Sequence, residues 1–294
     1  MDTASRRLSG LILLALGASM ISFSGVWVKL AHVGPTAAGF YRTFFGGVIL
    51  LALALKGKET FWRGWRPFLT AFLCALFFAL DLTFWHRSIR YVGPGLATIL
   101  ANFQVFFLSA FGVVVLGERP GWRFALSVPL SLLGLLLIVG VNWDQLPTDY
   151  RTGVLLGLAT AACYAANFLT LRKSQTWSES LTPQANLAII ALMTAVFMAA
   201  EGWGQGETFA IPDLQSWTVL VAYGLVSQVL GWIFIYRGLL RIETSRAGLI
   251  LLLQPTLAFV WDILFFSRPT GLKDGVGAVL ALGAIYLGTT RGGR

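Results

Sequence analysis

The sequence predicts an all-α polytopic membrane protein of ten transmembrane helices, arranged as two five-helix repeats of inverted topology. Three observations carry this. Apolar residues make up 56% of 294 and charged residues only 12%, with a mean hydropathy of +0.74, whereas a water-soluble domain carries about a quarter charged residues. The apolar runs are bounded by charges, prolines and glycines at membrane-spanning intervals. The second half also repeats features of the first at a nearly constant offset. Some 165 apolar residues, roughly 56% of the chain, supply about eight to ten spans of ~20 residues each. Under a third of the length is left for loops, so no soluble domain is expected. Disorder requires low hydrophobicity and is excluded.

Taken in order, the first run follows Arg6 and Arg7 and covers 8–30. It is longer than the apolar core of a secretory signal and is expected to remain as a span. The next runs are 36–55, 67–90, 95–116 and 122–141, then 152–172, 184–200, 216–240, 245–266 and 271–289. Helix-opening residues stand at Pro35-Thr36, Pro67, Pro94, Thr182-Pro183 and Ser245. The seventh run is the shortest, closed by the charge of Glu201. The repeats divide as 1–143 and 144–294.

A net charge of +9 and a pI near 10.0 would point to nucleic acid in a soluble protein. Here the basic residues stand between apolar runs in ones and twos, so they read as topology signals and no nucleic-acid partner is expected. With the N-terminus inside, fifteen of the 22 Lys and Arg fall on the cytoplasmic side, six fall outside, and Arg42 lies within a span. The outer loop 201–213 holds Glu201, Glu207 and Asp213 and no Lys or Arg. Both termini are therefore expected in the cytoplasm. Trp62, Trp65, Trp122, Trp143, Trp203 and Trp217 fall at the expected interfaces, as an aromatic belt requires. Cys74 and Cys163 lie inside apolar runs, where a thiol acts as a small hydrophobe.

At an offset of 150, Phe84-Trp85-His86-Arg87 aligns with Phe234-Ile235-Tyr236-Arg237, Ala97 with Ala247 and Gln104 with Gln254. At 149, Arg119-Pro120 aligns with Arg268-Pro269. Five spans per unit is an odd number, so the second copy enters the membrane from the opposite side. Inverted repeats allow two similar halves to exchange inward- and outward-facing shapes around a site near the midplane, the architecture of many secondary transporters.

Gly117-Glu118-Arg119-Pro120 at the end of the fourth span, followed by a Gly-containing fifth, resembles the drug/metabolite transporter superfamily of EamA type. So does the ninth span, with Gln254-Pro255 inside it and Arg268-Pro269 after it. The resemblance covers essentially the whole chain in two copies. Within that family the overall texture is most similar to the YddG group of bacterial aromatic amino acid and paraquat exporters. Ser267 stands where the second copy would repeat the acid of Glu118. The resemblance implies a multi-pass exporter of the bacterial inner membrane. Spans one to four and six to nine would form its core, with five and ten peripheral.

Polar and aromatic residues near mid-span are the candidate solute contacts, because hydrocarbon penalises them unless they face a cavity or a partner. These are Ser22, Trp85, Asn102, Gln104, Tyr164, Asn167, Gln228, Trp232, Tyr236 and Gln254. Tyr164 and Asn167 are three apart, and Gln228, Trp232 and Tyr236 four apart, so each set is expected on one helix face. For each amide, an interhelical hydrogen bond remains as good a reading as pocket lining. Pro255 frees the Leu251 carbonyl and is expected to kink its span. Together the set describes an aromatic-walled pocket suited to an amphiphilic small molecule, either an aromatic amino acid or a flat organic cation. Two glycine stripes, Gly10-Gly17-Ser24 and Gly224-Gly231-Gly238, recur every seven residues and read as close helix packing.

Arg42 and Asp81 are the deepest charges of the first half, about 9 Å and 13 Å from the outer ends of their spans at 1.5 Å per residue. Pairing, or a shared wet cavity, is the economical solution, with a structural ion pair at an outer gate preferred over proton coupling. His86 is expected to be solvated at the interface beside Arg87, and His32 to lie in an outer loop. Gly57-Lys58 is followed by Glu59, so there is no Walker A loop, and neither H-E-x-x-H, G-x-S-x-G nor C-x-x-C occurs. No cofactor or metal is expected and no enzyme motif is present. An intramembrane enzyme would want two facing acids, but Asp81 and Asp262 are assigned different depths. The expected partners are a small-molecule substrate and membrane lipid, with a monomer sufficient for the architecture.

Overall fold

The computed structural model describes residues 3–104, 106–107, 110–111, 114, 122–139, 146–174, 181–239, 241 and 253–289. Every regular element among them is helical. In order these are α1 (Thr3–Ser22), α2 (Ser24–Leu30), α3 (Pro35–Lys56), α4 (Trp65–Ala101), α5 (Trp122–Val139) and α6 (Thr148–Ser174). The second half continues with α7 (Pro183–Gly204), α8 (Leu214–Ala222), a π-helical segment π1 (Tyr223–Gly231), α9 (Trp232–Leu239), α10 (Leu253–Phe266) and α11 (Leu272–Thr289). Five described stretches are long and apolar enough to cross a membrane: Leu8–Leu30, Pro35–Lys56, Trp65–Ala101, Gln184–Gly204 and Leu214–Ile235. The chain is a multi-pass membrane protein. Its outer surface is correspondingly apolar, with Leu264, Val279 and Val196 all exposed.

The helix ends gather at the two poles of α3. At its N-terminal pole, His32 meets Asp213 at 2.7 Å and Ser88 donates to the Gly153 carbonyl at 2.7 Å. At the other pole, Thr182 donates to Glu59 at 2.6 Å and Arg241 to Ser9 at 2.9 Å. Successive long helices therefore run in alternating directions.

Several expected elements differ in detail, each for a physical reason. The first span breaks at Phe23, just after Ser22, whose hydroxyl bonds back to the Ser19 carbonyl at 2.6 Å, a contact that bends helices. The third and fourth spans join end to end at Gly93-Pro94. Gly93 takes φ 82°, open to glycine at little cost, and the helix restarts at Pro94 as expected. The fourth span is not continuous, because the chain turns at Asn102–Phe103; its later part lies largely outside the described residues. The seventh helix is longer than its charge pattern implies and runs on to Gly204. Glu201 does not end it because Arg87 and Thr83 both donate to its carboxylate at 2.5 Å.

The two glycine stripes meet over part of their length, at Gly17 with Gly231 and Gly10 with Gly238, while Gly224 faces Phe45 and Gly46 of α3. A Cβ on Gly17 would lie 2.8 Å from the Gly231 carbonyl, one on Gly231 2.6 Å from Ile21, and one on Gly238 3.0 Å from the Gly10 carbonyl. Small residues on both sides let α1 and the π1–α9 helix approach backbone to backbone. α5 and α11 likewise pack closely, with the Cβ position of Gly134 2.5 Å from the Ala281 nitrogen.

Candidate functional site

A cavity of about 80 Å³ lies between the halves of the chain. α1, α2, α3, α4, α6, α9 and α10 contribute to its wall, while α5 and α11 do not. Of the residues singled out from sequence, Ser22, Arg42, Asp81, Trp85, Asn102, Tyr164, Trp232 and Gln254 line it. Phe78, Thr98 and Thr160 complete much of the wall without having been anticipated. Thr98 stands four residues before Asn102 and Thr160 four before Tyr164, so one-face spacing was the signal that would have found them. The volume holds several waters and is smaller than the ~300 Å³ at which ordinary small-molecule pockets begin. A molecule larger than a few waters fits only if the walls part.

Three of the expected contacts, Gln104, Asn167 and Gln228, are not among the described cavity walls. Gln228 sits behind the cavity, and its Oε1 accepts from Arg42 Nε at 3.0 Å. The even four-residue spacing of Gln228, Trp232 and Tyr236 presumes an α-helix. π1 ends at Gly231, between Gln228 and Trp232, and its wider turn rotates one relative to the other. Asn167 contributes its backbone carbonyl to Cys74 at 3.9 Å. Gln104 follows the turn after α4, its Oε1 buried without a hydrogen-bond partner among the described residues. The side chain of Tyr236 lies outside the described residues, as do Trp143, the 117–120 motif and residues 242–252.

Arg42 is 5% exposed and Asp81 8% exposed, on facing helices of the same cavity. They do not form the direct ion pair. Instead Arg42 uses two of its donors on neutral partners, Gln228 and the Tyr223 hydroxyl at 3.1 Å, and stacks against Phe78 and Tyr223 with centroids at 5.6 and 5.1 Å. Asp81 accepts no hydrogen bond among the described residues, whose ion pairs are His32–Asp213, Arg87–Glu201 and Asp262–Arg268. The two charges share a cavity rather than a bond.

His86 is fully buried, not solvated at the interface. Its Nδ1 lies 2.6 Å from the Leu82 carbonyl, which can only accept, so Nδ1 carries the proton. Nε2 then accepts from the Tyr223 hydroxyl at 3.3 Å, and the same hydroxyl oxygen accepts from Arg42. Tyr223, also fully buried, was not among the sequence candidates. The result is a one-way chain from Arg42 through Tyr223 and His86 to the α4 backbone. It holds the guanidinium in one place, and packing and hydrogen bonds of this kind preorganise a binding group.

On the other side of the cavity, Ser22 accepts from Trp261 Nε1 at 2.9 Å, tying α1 to α10. Asp262, 3% exposed, accepts from the Gly95 backbone N–H at 3.1 Å and pairs with Arg268 at 3.2 Å. Arg268 in turn donates to the Val92 carbonyl at 3.0 Å. A carboxylate from one helix thus caps the restarting half of α4, where orphan N–H groups otherwise remain. The buried Trp232 Nε1 has no hydrogen-bond partner among the described residues, so an indole donor stands uncommitted to them at the cavity wall.

A multi-pass helical bundle enclosing a central cavity with buried polar groups and aromatic walls has the architecture of a membrane transport protein. The chain belongs to the EamA-like transporter family, whose sequence model matches residues 8–140 and 151–290. It is 24% identical over 290 residues to the pseudopaline exporter CntI of Pseudomonas aeruginosa, covering 97% of this chain and 98% of that one. An uncharacterized transporter of Archaeoglobus fulgidus is 20% identical over 274 residues, covering 93% of this chain and 94% of the relative. A solved crystal structure superposes with a TM-score of 0.65 at 18% identity, over 97% of this chain and 98% of that chain, which establishes the likeness of fold.

Proposed function

We propose that this protein is a secondary transporter that exports small amphiphilic metabolites by alternating access around the central cavity. Its ten helices would form two inverted five-helix repeats, residues 1–143 and 144–294, in a bacterial inner membrane with both termini cytoplasmic. The observation that carries the reading is the cavity itself: twelve polar or aromatic residues from both halves converge on it, although the intervening helices are apolar. Two separate family matches, one in each half, support the repeat. The exporter relative supports outward movement. Aromatic walls with a few amide and hydroxyl groups favour amino acids, aromatic ones included, or flat organic cations.

Counterflow into proteoliposomes with labelled tryptophan, leucine and methyl viologen tests the reading. Accumulation of at least one unaltered compound, abolished by collapsing its own trans gradient, is expected. No movement of any compound across a wider metabolite panel overturns it. Cysteine labelling of intact cells tests the orientation: an external reagent should modify a cysteine at position 205 and miss one at 292. The reverse pattern overturns the topology and the inversion with it.

A further inference from the structure

Arg42 and Asp81 are each more than nine-tenths buried, line one small cavity and do not bond to each other. A guanidinium has five N–H donors. Two are committed to neutral partners, and among the described residues no carboxylate lies within ion-pair distance of Arg42. Among the described residues the Asp81 carboxylate receives no donor. Buried charges are costly unless paired, and two opposite charges in one cavity would ordinarily close on each other. Here the Tyr223–His86 chain, Gln228 and the ring of Phe78 hold the guanidinium back.

We propose that the cavity binds its solute as a zwitterion, with Arg42 taking the carboxylate and Asp81 the ammonium group. This rests on the transport reading above and narrows it. A zwitterion satisfies both charges at once, whereas a monocation satisfies Asp81 while leaving Arg42 both unpaired and repelling it. A flat dication fares worse, and a simple acid makes the opposite error. The aromatic wall of Trp85, Tyr164 and Trp232 takes an apolar side chain, and the uncommitted indole N–H of Trp232 offers a further donor. Discrimination against an analogue that strands a buried polar group is larger than discrimination by size.

Ligand-induced thermal stabilisation of the purified, detergent-solubilised protein tests the charge assignment separately from flux. The probes are tryptophan, phenylalanine and leucine as zwitterions, tryptamine and indole-3-propionate as analogues missing one charge, and methyl viologen as the dication. At least one zwitterion should stabilise, and its single-charge analogues should bind about tenfold or more weakly. Arg42→Gln should erase the preference of tryptophan over tryptamine, and Asp81→Asn its preference over indole-3-propionate. Arg42→Lys keeps the charge and should retain the preference, which controls for misfolding of the neutral variant. The proposal is overturned if tryptamine or methyl viologen stabilises the wild type as well as any zwitterion does, or if no zwitterion stabilises it. In either case, movement of a cation into liposomes leaves the transport reading standing.

Discussion

Replacing Asp262 by alanine removes two interactions from the point where α4 restarts. The Gly95 N–H loses its acceptor at 3.1 Å, and Arg268 loses its counter-charge at 3.2 Å, with side chains only 4% and 13% exposed. Removing one partner of a buried pair costs about 3–5 kcal/mol, because the other charge stays buried and uncompensated. An unsatisfied buried N–H accounts for about 1–3 kcal/mol of such a loss. Asp262→Ala should therefore destabilise by about 3–5 kcal/mol. Arg268→Ala should cost about as much, since it strands the carboxylate. The double variant removes both charges and leaves mainly the Gly95 N–H, so it should cost less than the sum of the two by about 2–3 kcal/mol. Asp262→Asn keeps an acceptor for Gly95 and should fall between wild type and Asp262→Ala. Equilibrium unfolding in mixed micelles, with mean residue ellipticity and tryptophan fluorescence as independent probes, measures all four. Additive single effects, with a coupling below about 0.5 kcal/mol, would refute the idea that one carboxylate serves both the helix end and the arginine.

Gly17→Ala places a Cβ 2.8 Å from the Gly231 carbonyl, a backbone atom that cannot swing aside, so α1 and α9 must separate. A loss of about 1–3 kcal/mol is expected in the same unfolding assay, and unchanged stability would show that the stripes do not set the helix separation. Trp232→Ala should leave the amount of protein in the membrane near normal while weakening solute binding about five- to thirtyfold, from the loss of ~1–2 kcal/mol of aromatic contact; wild-type binding would place this ring outside the solute's reach. At the loop before α8, the Ser216 backbone N–H and then the His32 ring hold the Asp213 carboxyl below its ordinary value. Its contribution is therefore present at neutral pH and lost only as pH falls through that lowered value, beneath the usual carboxylate range near ~4. Hydrogen exchange in the first turn of α8 should accelerate under those acidic conditions in wild type and already at neutral pH in Asp213→Ala; identical exchange in the two proteins would refute the capping role.

The spans are legible in the chain because hydrocarbon imposes a length and a composition on anything that crosses it, a constraint that acts residue by residue. The same penalty marks Arg42, Asp81, Trp85, Asn102, Tyr164, Trp232 and Gln254, whose polarity or bulk in mid-span has to be accommodated somewhere, and all of them line the cavity. The sequence by itself determines which residues need a partner or a cavity. It does not determine which neighbour supplies it, because that depends on the rotation and separation of helices distant in the chain. The π turn of Tyr223–Gly231 moves Gln228 behind Arg42 instead of beside Trp232, and no local spacing rule contains that rotation. His86 stands next to an arginine in sequence, yet Tyr223, 137 positions away, decides that it is buried and oriented. Asp262 reads as an isolated acid until Gly95, 167 positions earlier, brings it a helix end to cap. The two glycine stripes can each be read as packing surfaces, but only the tertiary structure pairs Gly17 with Gly231 and Gly10 with Gly238 and sends Gly224 to α3, since close approach is a property of two backbones and is written in neither alone.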